Sequence, residues 1–440
     1  MESSLCEKPE RHAPRRLSDD LKLEGQKQKV HSLVDKVYAR KNLKLAWERV
    51  RANHGASGSD KVTIEEFEAG LEKNLERLHQ ALREQTYRPQ PVRRLEIPKR
   101  GSPGKTRPLG IPSVYDRVCQ QALVNRLEPI FEKVFDPSSF GYRKGRKTAD
   151  ALAKIWREVE AGNEWMVDAD LKDYFGSVDH EKLMTLVGKQ IADSRVLKLI
   201  EQTLTAGYEE KGQRYETPRG TPQGGVVSPM LSNILLTPFD KEMRRQGYQL
   251  TRWADDWVVT CRSRVEAQQA LARAVKILGR LGVTLNREKT RIVHVTQGVE
   301  FLGFKIQRGK RQFSLSRDRI KSQLNRHGLY AIPTQKSVDR FKDQIRTQTT
   351  RRAPLRMGEL ISTINPIIRG WGNYYCRAHV RKRFHQLDGW IVRRLWSHRF
   401  KRWRNLGWKY YPTKRLCGEG FELVRLISLI PSLQSAKARS

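Results

Sequence analysis

Apolar positions recur at helical spacing from about residue 29, where Val30, Leu33, Val34, Val37 and Tyr38 share one face. A second helical stretch is expected from Ile64 to Leu82, after the turn-like HGASGSD. Two short extended segments, RRLEIPK and KTRPLGIP, then flank the Gly/Pro-rich RGSPG and predict a hairpin. A helix over 114–132 follows, and after it a glycine-rich basic loop, SFGYRKGRKT. EWMVDADLKDYF reads as a buried strand running into a carboxylate-bearing loop, and RWADDWVVTC as a hairpin with Asp255 and Asp256 at its apex. Over 265–281 the residues Ala267, Leu271, Ala274, Val275 and Leu278 fall in helical register, with Gly282 at the stop. Beyond about residue 315 the pattern is mainly helical and basic. Residues 1–28 are polar, mixed in charge and poor in apolar positions, which predicts a mobile extension. Glu7, Glu10, Asp19 and Asp20 argue against a mitochondrial targeting peptide there.

Charge changes this picture most. The 440 residues carry 85 Lys/Arg against 48 Asp/Glu, a net +37. Such an excess repels itself unless a polyanion neutralises it, and nucleic acid is the usual partner. A merely soluble basic protein needs far less. The excess is also uneven, because residues 301–440 hold 32 Lys/Arg against 7 Asp/Glu, which suggests a separate C-terminal nucleic-acid-binding part. No apolar run of about 18 residues and no signal peptide is visible, so no membrane partner is expected. The five cysteines, Cys6, Cys119, Cys261, Cys376 and Cys417, are scattered without CxxC spacing. That argues against a zinc ribbon or a disulfide framework and suits a reducing cytosol, by default a bacterial one.

The sharpest chemical constellation is a DxxxxF segment, a QGG…SP loop and an ADD hairpin, in that order. Nucleotide addition is a phosphoryl transfer that uses two divalent ions about 3.5–4 Å apart. Hard, oxygen-loving ions need carboxylates converging from separate strands. Asp170 at the end of one strand and Asp255 atop a hairpin place two bridging ligands together, and Asp256 supports the ion beside the primer. An Asp-Asp turn taken alone is common on protein surfaces, so ADD by itself decides nothing.

VDADLKDYF, TPQGGVVSPMLSN, RWADDWVV and EFLGFKI, in this order and spacing, resemble the palm motifs of reverse transcriptases, most of all the group II intron-encoded subfamily. Viral RNA polymerases share the acidic palm but place different sequence between these blocks. The resemblance runs from about residue 30 to about 412. It implies an α+β right-hand polymerase, with fingers and palm built on antiparallel sheet, followed by an all-helical basic thumb. The corresponding divisions are an extension over 1–28, fingers over 29–160, palm over 161–312, thumb and maturase-specific domain over 313–412, and a tail over 413–440. The implied cofactor is Mg2+, two ions per site, with Mn2+ as a substitute. The implied substrates are an RNA template, a DNA primer and deoxynucleotides.

Within the fingers region, Lys99 and Arg107 match positions expected to hold the incoming triphosphate, a task that two cations beside a glycine-rich turn also suit physically. An exposed basic hairpin is the competing reading. Arg143, Lys144, Arg146 and Lys147 match a stretch that follows the template or primer backbone. Phe175 stands where the family has an aromatic that excludes a 2′-hydroxyl, with Tyr174 as the neighbouring candidate and core packing as the alternative for either. Gln223 is expected to contact the nucleotide, and Gly224 and Gly225 to let the backbone approach a nascent base pair. Ser228 and Pro229 are expected to start the next helix as its cap and first residue. Lys289 corresponds to a palm lysine that assists the departing pyrophosphate, against the plainer reading of a surface lysine. Phe301, Leu302, Gly303 and Phe304 resemble the hairpin that grips the primer end, or else serve palm-to-thumb packing.

INPIIRGWGNYYCRAHVRKRFHQLDGWIVRRLWSHRFKRW interleaves aromatics with cations and resembles the maturase-specific thumb domain. Binding of host intron RNA, assistance to splicing and retrohoming into a DNA target are thereby implied, with Arg369, Trp371, Tyr374, Arg381, Arg383, Arg393 and Arg394 as contact candidates. A helical bundle with an aromatic core is the bland alternative, and Trp371, Tyr374, Trp390 and Trp396 are its members. Three departures from the family stand out: Trp253 replaces the Tyr of the YADD box, Gly176 replaces an Asp, and SGSDKVT matches the family's N-terminal loop only loosely. No Cys/His-rich endonuclease segment is expected after residue 412. A domesticated or defence-associated relative acting without an intron, or a splicing factor with secondary polymerase activity, fits the same motifs. The oligomeric state stays open.

Overall fold

The structure, a computed structural model, describes residues 29–98, 104, 106–309, 328–350, 355–399, 407–418 and 421–431. Lys99 and the 1–28 extension lie outside the described residues. The apolar stripe that begins at Val30 does not make one helix. Val30 instead bridges to Ile191, its N–H donating to the Gln190 carbonyl at 2.9 Å. Helix α1 starts only at Val34 (Val34–Tyr38), because Asp193 accepts the N–H groups of Leu33 and Val34 at 2.7 and 2.9 Å. A remote carboxylate thus supplies the cap that no local residue offers. Helix α2 (Arg40–Arg51) follows. The stretch from Ile64 breaks at Gly70 into α3 (Ile64–Ala69), closed by a Thr63–Glu66 capping box, and α4 (Leu71–Arg83).

The expected hairpin forms from β1 (Val92–Pro98) and β2 (Thr106–Ile111), antiparallel with Ile97 opposite Arg107. Helices α5 (Val114–Phe131) and α6 (Thr148–Glu160) follow. Ser113 caps α5, accepting from Asp116 N at 3.0 Å. Strand β3 (Trp165–Asp170) comes next, then the short α7 (Tyr174–Ser177), α8 (His180–Gly188), α9 (Ser194–Leu204), β4 (Tyr208–Glu210) and β5 (Gln213–Tyr215). Strand β4 joins β1 in parallel, giving the order β2-β1-β4-β5. This sheet is therefore mixed rather than purely antiparallel.

The sheet that carries the ADD sequence is antiparallel, in the order β6-β7-β3-β8, with β6 (Gln249–Trp253), β7 (Asp256–Cys261) and β8 (Arg291–His294). Helix α10 (Ser228–Arg245) and helix α11 (Arg264–Arg280) pack against it. The core face of α11 runs Ala267, Ala270, Ala274, Ile277 and Leu278, whereas Val275 is 52% exposed. Val275 lies at the margin of the stripe, one position past Ala274, and turns outward.

A third sheet orders β9 (Val299–Phe301), β10 (Phe304–Arg308) and β11 (Leu329–Pro333) as β11-β10-β9. The region expected to be all-helical from 313 therefore contains a strand that completes the preceding hairpin. Helices α12 (Gln335–Gln348), α13 (Met357–Tyr375) and α14 (Arg381–Arg399) then build a separate core around Phe341, Ile361, Ile364, Phe384, Ile391 and Leu395. Short helices α15 (Gly407–Tyr410) and α16 (Thr413–Cys417) and a 3-10 turn at Leu426–Leu429 complete this unit. The stretch read as a tail from 413 is instead packed, because Leu416, Leu423 and Leu426 are buried in that core. Each such leucine contributes about 1.5–3 kcal/mol of burial. Asn365 clamps the segment by accepting from Val424 N and donating to Glu422 O, and Asp388 accepts from Leu426 N at 2.7 Å. No described helix is long and apolar enough to cross a membrane.

Candidate active site

Asp170 ends β3 and lies directly opposite Asp256, the first residue of β7. Asp255 sits beside them in the two-residue turn Ala254-Asp255, whose flanks Trp253 and Asp256 are paired. Opposed residues of antiparallel strands project to one face with Cβ atoms about 4.5–5.5 Å apart. Asp168, two residues before Asp170, shares that face. Burial, more than any neighbour, pushes the Asp255 carboxyl up, with Asp170 adding to it. Burial likewise drives Asp256 up to about 8, reinforced by Asp168, Asp255 and Asp170. Burial also raises Asp168, opposed by Arg291, whose Nη2 lies 2.8 Å from it.

Lys289 fits this cluster as its second cation, its Nζ bonded to Asp170 Oδ2. The chain brings it there because Asn286 N donates to the Asp170 carbonyl at 2.8 Å and Lys289 N donates to the Asn286 carbonyl. Among the described residues no three His, Cys, Asp or Glu side chains already close around one point. The side chains of this cluster that could ligate a metal are carboxylates, and Cys261 lies at the opposite end of β7. Repelling carboxylates of this kind suit a hard divalent cation rather than a thiophilic one.

The aromatic pair after Asp170 separates by burial. Tyr174 is enclosed and donates to the Ser232 carbonyl at 2.8 Å, so it is core. Phe175 stands edge-on to it, ring centroids 5.5 Å apart, and lines a cavity of about 220 Å3 with Arg94, Gly110, Thr221 and Gln223.

The glycine loop is built differently from expectation. Gly110 N donates to the Gln223 carbonyl at 2.7 Å, which seats the loop on β2. Gly224 has φ +117°, and a Cβ there would lie 2.4 Å from the Gly110 oxygen. At Gly225 a Cβ would meet Ser228 Oγ at 2.6 Å. The close approach these glycines permit is therefore to the chain itself. Ser228 does not cap α10. Its hydroxyl bonds the Pro222 carbonyl at 2.9 Å and Thr221 Oγ1 at 2.7 Å, while Gln120 Oε1 takes the N–H of Val226 at 2.9 Å. Pro229 does occupy the first turn.

Of the basic residues read as nucleic-acid contacts, Arg107 is exposed on β2 and Lys144 is exposed although paired with Glu128 at 2.6 Å. Lys147 is exposed, and Arg146 lies over the Phe140 ring. Arg143 is not available as a backbone contact, contrary to the expectation from its basic loop. It is buried, bonded to Glu132 and to the carbonyls of Asp136 and Ser139, each at 2.7 Å, and has no face left for a phosphate. Phe301 is buried, and the Leu302 and Gly303 carbonyls accept from the hydroxyls of Tyr374 and Tyr375 at 2.8 and 3.1 Å. That hairpin thus packs against the C-terminal helices.

In the helical unit Arg369, Arg381 and Arg393 are exposed and Arg383 is half-buried, whereas Arg394 is tied to Thr349 O at 3.0 Å. Trp371 stacks on Phe341 at 4.6 Å and donates to Ser337 Oγ, so it is core rather than an open platform. Trp396 donates to the Tyr411 carbonyl. Trp390 carries Lys342 and Arg346, each 5.7 Å from its ring. Sequence reasoning missed Asp168, whose period-2 spacing from Asp170 was a usable signal. It also missed Gln120, Arg252 and Asp240, for which spacing carries no signal at all.

Residues 97–306 match the family model of reverse transcriptase, RNA-dependent DNA polymerase, and residues 338–416 match that of the group II intron maturase-specific domain. The chain is 30% identical to the group II intron-encoded protein LtrA of Lactococcus lactis, over 78% of this chain and 69% of that protein. It is 33% identical to protein YkfC of Escherichia coli, over 58% of this chain and 77% of the relative. A shorter match, 32% identity over 26% of this chain and 16% of the relative, is to nuclear intron maturase 1, mitochondrial, of Arabidopsis thaliana.

Proposed function

Because the chain belongs to the group II intron-encoded reverse transcriptases, and so is an RNA-directed DNA polymerase of that family, we propose that Asp170, Asp255 and Asp256 are its metal-binding carboxylates. The observation that carries this assignment is the direct cross-strand pairing of Asp170 with Asp256, with Asp255 in the adjoining turn. The family uses divalent metal ions. An all-carboxylate site suits Mg2+, with Mn2+ as a substitute. When bound, the ions supply charge neutralisation at the triphosphate and acidify the primer hydroxyl.

The chain's own groups do the rest. Lys289, whose Nζ bonds Asp170, stabilises the charge of the departing pyrophosphate. Arg107, with Lys99, holds the incoming triphosphate. Phe175 packs under the sugar and excludes a 2′-hydroxyl, and Gln223 contacts the nucleotide from the loop seated on β2. Lys144 and Arg146 track the template-primer backbone. In the right-hand arrangement this implies, residues 29–160 are the fingers and 161–312 the palm. The helical unit is a thumb whose exposed Arg369, Arg381 and Arg393 bind intron RNA to assist splicing and retrohoming.

Primer extension with deoxynucleotides on an RNA template tests the assignment. The native chain should extend, and Asp255→Ala should lose extension by at least about a thousandfold, since it removes a metal ligand from a phosphoryl-transfer site. Extension by Asp255→Ala at the native rate sinks the assignment. Intron RNA should bind the same variant with native affinity and a steep dependence on salt.

A further inference from the structure

Arg252 has no place in the chemistry just described, yet it is among the most completely enclosed side chains of the protein. Both Arg252 and its partner Asp240 have 0% exposure. A guanidinium carries five N–H donors in a rigid fork, and here all five are used. Nε donates to Asp240 Oδ1 at 2.7 Å and Nη2 to Asp240 Oδ2 at 2.6 Å. Nη2 also reaches Ser139 Oγ at 2.8 Å, while Nη1 donates to Asn233 Oδ1 at 3.0 Å and to the Ala254 carbonyl at 2.8 Å. The backbone is held as well, since Arg252 N donates to Ser138 O and Phe140 N to Arg252 O, both at 2.9 Å.

These partners come from three pieces of chain. Asp240 and Asn233 lie on α10, the helix whose start carries the glycine loop. Ser138, Ser139 and Phe140 belong to the loop before α6, which is tied to the same helix by Asn233 Nδ2 donating to Gly141 O at 2.9 Å. Ala254 is the residue before Asp255 and holds φ +58°. A non-glycine residue in that region costs on the order of 1–3 kcal/mol and persists only where its surroundings impose it. The guanidinium grips the carbonyl of that strained residue.

We propose that Arg252, clamped by Asp240, is the positioning residue of the polymerase centre. It fixes the Ala254-Asp255 turn against α10, so that Asp255 and Asp256 meet Asp170 while the nucleotide-contacting loop stays in register with them. The role rests on the assignment of Asp255 and Asp256 made above. Lysine, with one donor centre, cannot reproduce a bond set shared among three chain segments.

The test separates positioning from folding. Arg252→Met alone leaves Asp240 buried and unpaired, so it loses stability for either reason. The double variant R252M/D240L removes the unpaired buried carboxylate as well, and leaves only the neutral acceptors Asn233 Oδ1, Ser139 Oγ and Ala254 O without their donor. With positioning, R252M/D240L melts above R252M, and at a temperature where it is fully folded its kcat for primer extension falls about a hundredfold, the loss typical of a misplacement near 1 Å. KM for primer-template stays near native, and R252K recovers part of kcat. Mn2+ bound to the complex with a dideoxy-terminated primer, read by electron paramagnetic resonance without turnover, should be weakened at least fivefold. A stable R252M/D240L with native kcat and native Mn2+ binding overturns the inference while Asp255→Ala remains dead. Activity in Asp255→Ala fails the underlying site assignment instead.

Discussion

Gly224→Ala isolates how the loop on β2 shapes nucleotide use. The backbone at Gly224 has φ +117°, and the added Cβ would sit 2.4 Å from the Gly110 oxygen, closer than real Cβ contacts come. An alanine held there costs on the order of 1–3 kcal/mol. The loop relieves that strain only by leaving β2, which breaks the 2.7 Å bond from Gly110 N to the Gln223 carbonyl. The penalty of about 1–3 kcal/mol on the seated loop corresponds to about 5- to 160-fold in its population. Because Gln223 moves with it, the loss should appear in kcat/KM for deoxynucleotide rather than in primer-template affinity. Steady-state single-nucleotide extension measures the first, and fluorescence anisotropy of a labelled hybrid measures the second. Gly162→Ala is the control, with φ +96° and nothing within 4 Å of its Cβ, so it carries backbone strain without displacing the loop. Native kcat/KM in Gly224→Ala, or an equal loss in Gly162→Ala, would refute the seating argument.

Other expectations follow from the same contacts. Arg143→Met should lower stability by about 2–3 kcal/mol in denaturant melts, with no change in the salt slope of RNA binding, whereas Lys144→Ala should weaken RNA binding with little loss of stability. In metal-free buffer, Asp256 is pushed up to about 8 from an ordinary value near 4. The stability it contributes as the neutral acid is therefore complete below about pH 4 and lost as pH rises toward 8. Thermal midpoints in chelator should fall across that window in the native protein and fall less in Asp256→Asn; parallel curves would show that burial of this carboxyl is immaterial. Asp388→Ala removes the acceptor for Leu426 N and should cost about 2 kcal/mol, read as faster limited proteolysis within residues 418–430.

Much of the site is readable in the chain because its chemistry is local. Asp170 and the turn with Asp255 and Asp256 each sit at the end of a short apolar run, so periodicity alone places them at strand ends. Charge likewise marks the polyanion partner. Where a residue's role depends on what surrounds it, the sequence is silent or misleading. Arg143 lies in a basic loop and reads as a phosphate contact, yet Glu132 and two carbonyls occupy it. Gly224 reads as room for a base pair, yet β2 fills that room.

The sequence by itself therefore determined the strand ends that carry the three carboxylates and the basic character of the C-terminal helices, because each follows from spacing and composition along a short stretch. Only the tertiary structure decided that β4 joins β1 in parallel, that the segment from 413 is packed, and that Arg252 reaches Asp240, Asn233 and Ser139 together. Those contacts span up to 116 residues between β1 and β4. Nothing in a local pattern encodes which buried donor meets which acceptor; that pairing arises when the packed core removes water and leaves each polar group only its folded neighbours.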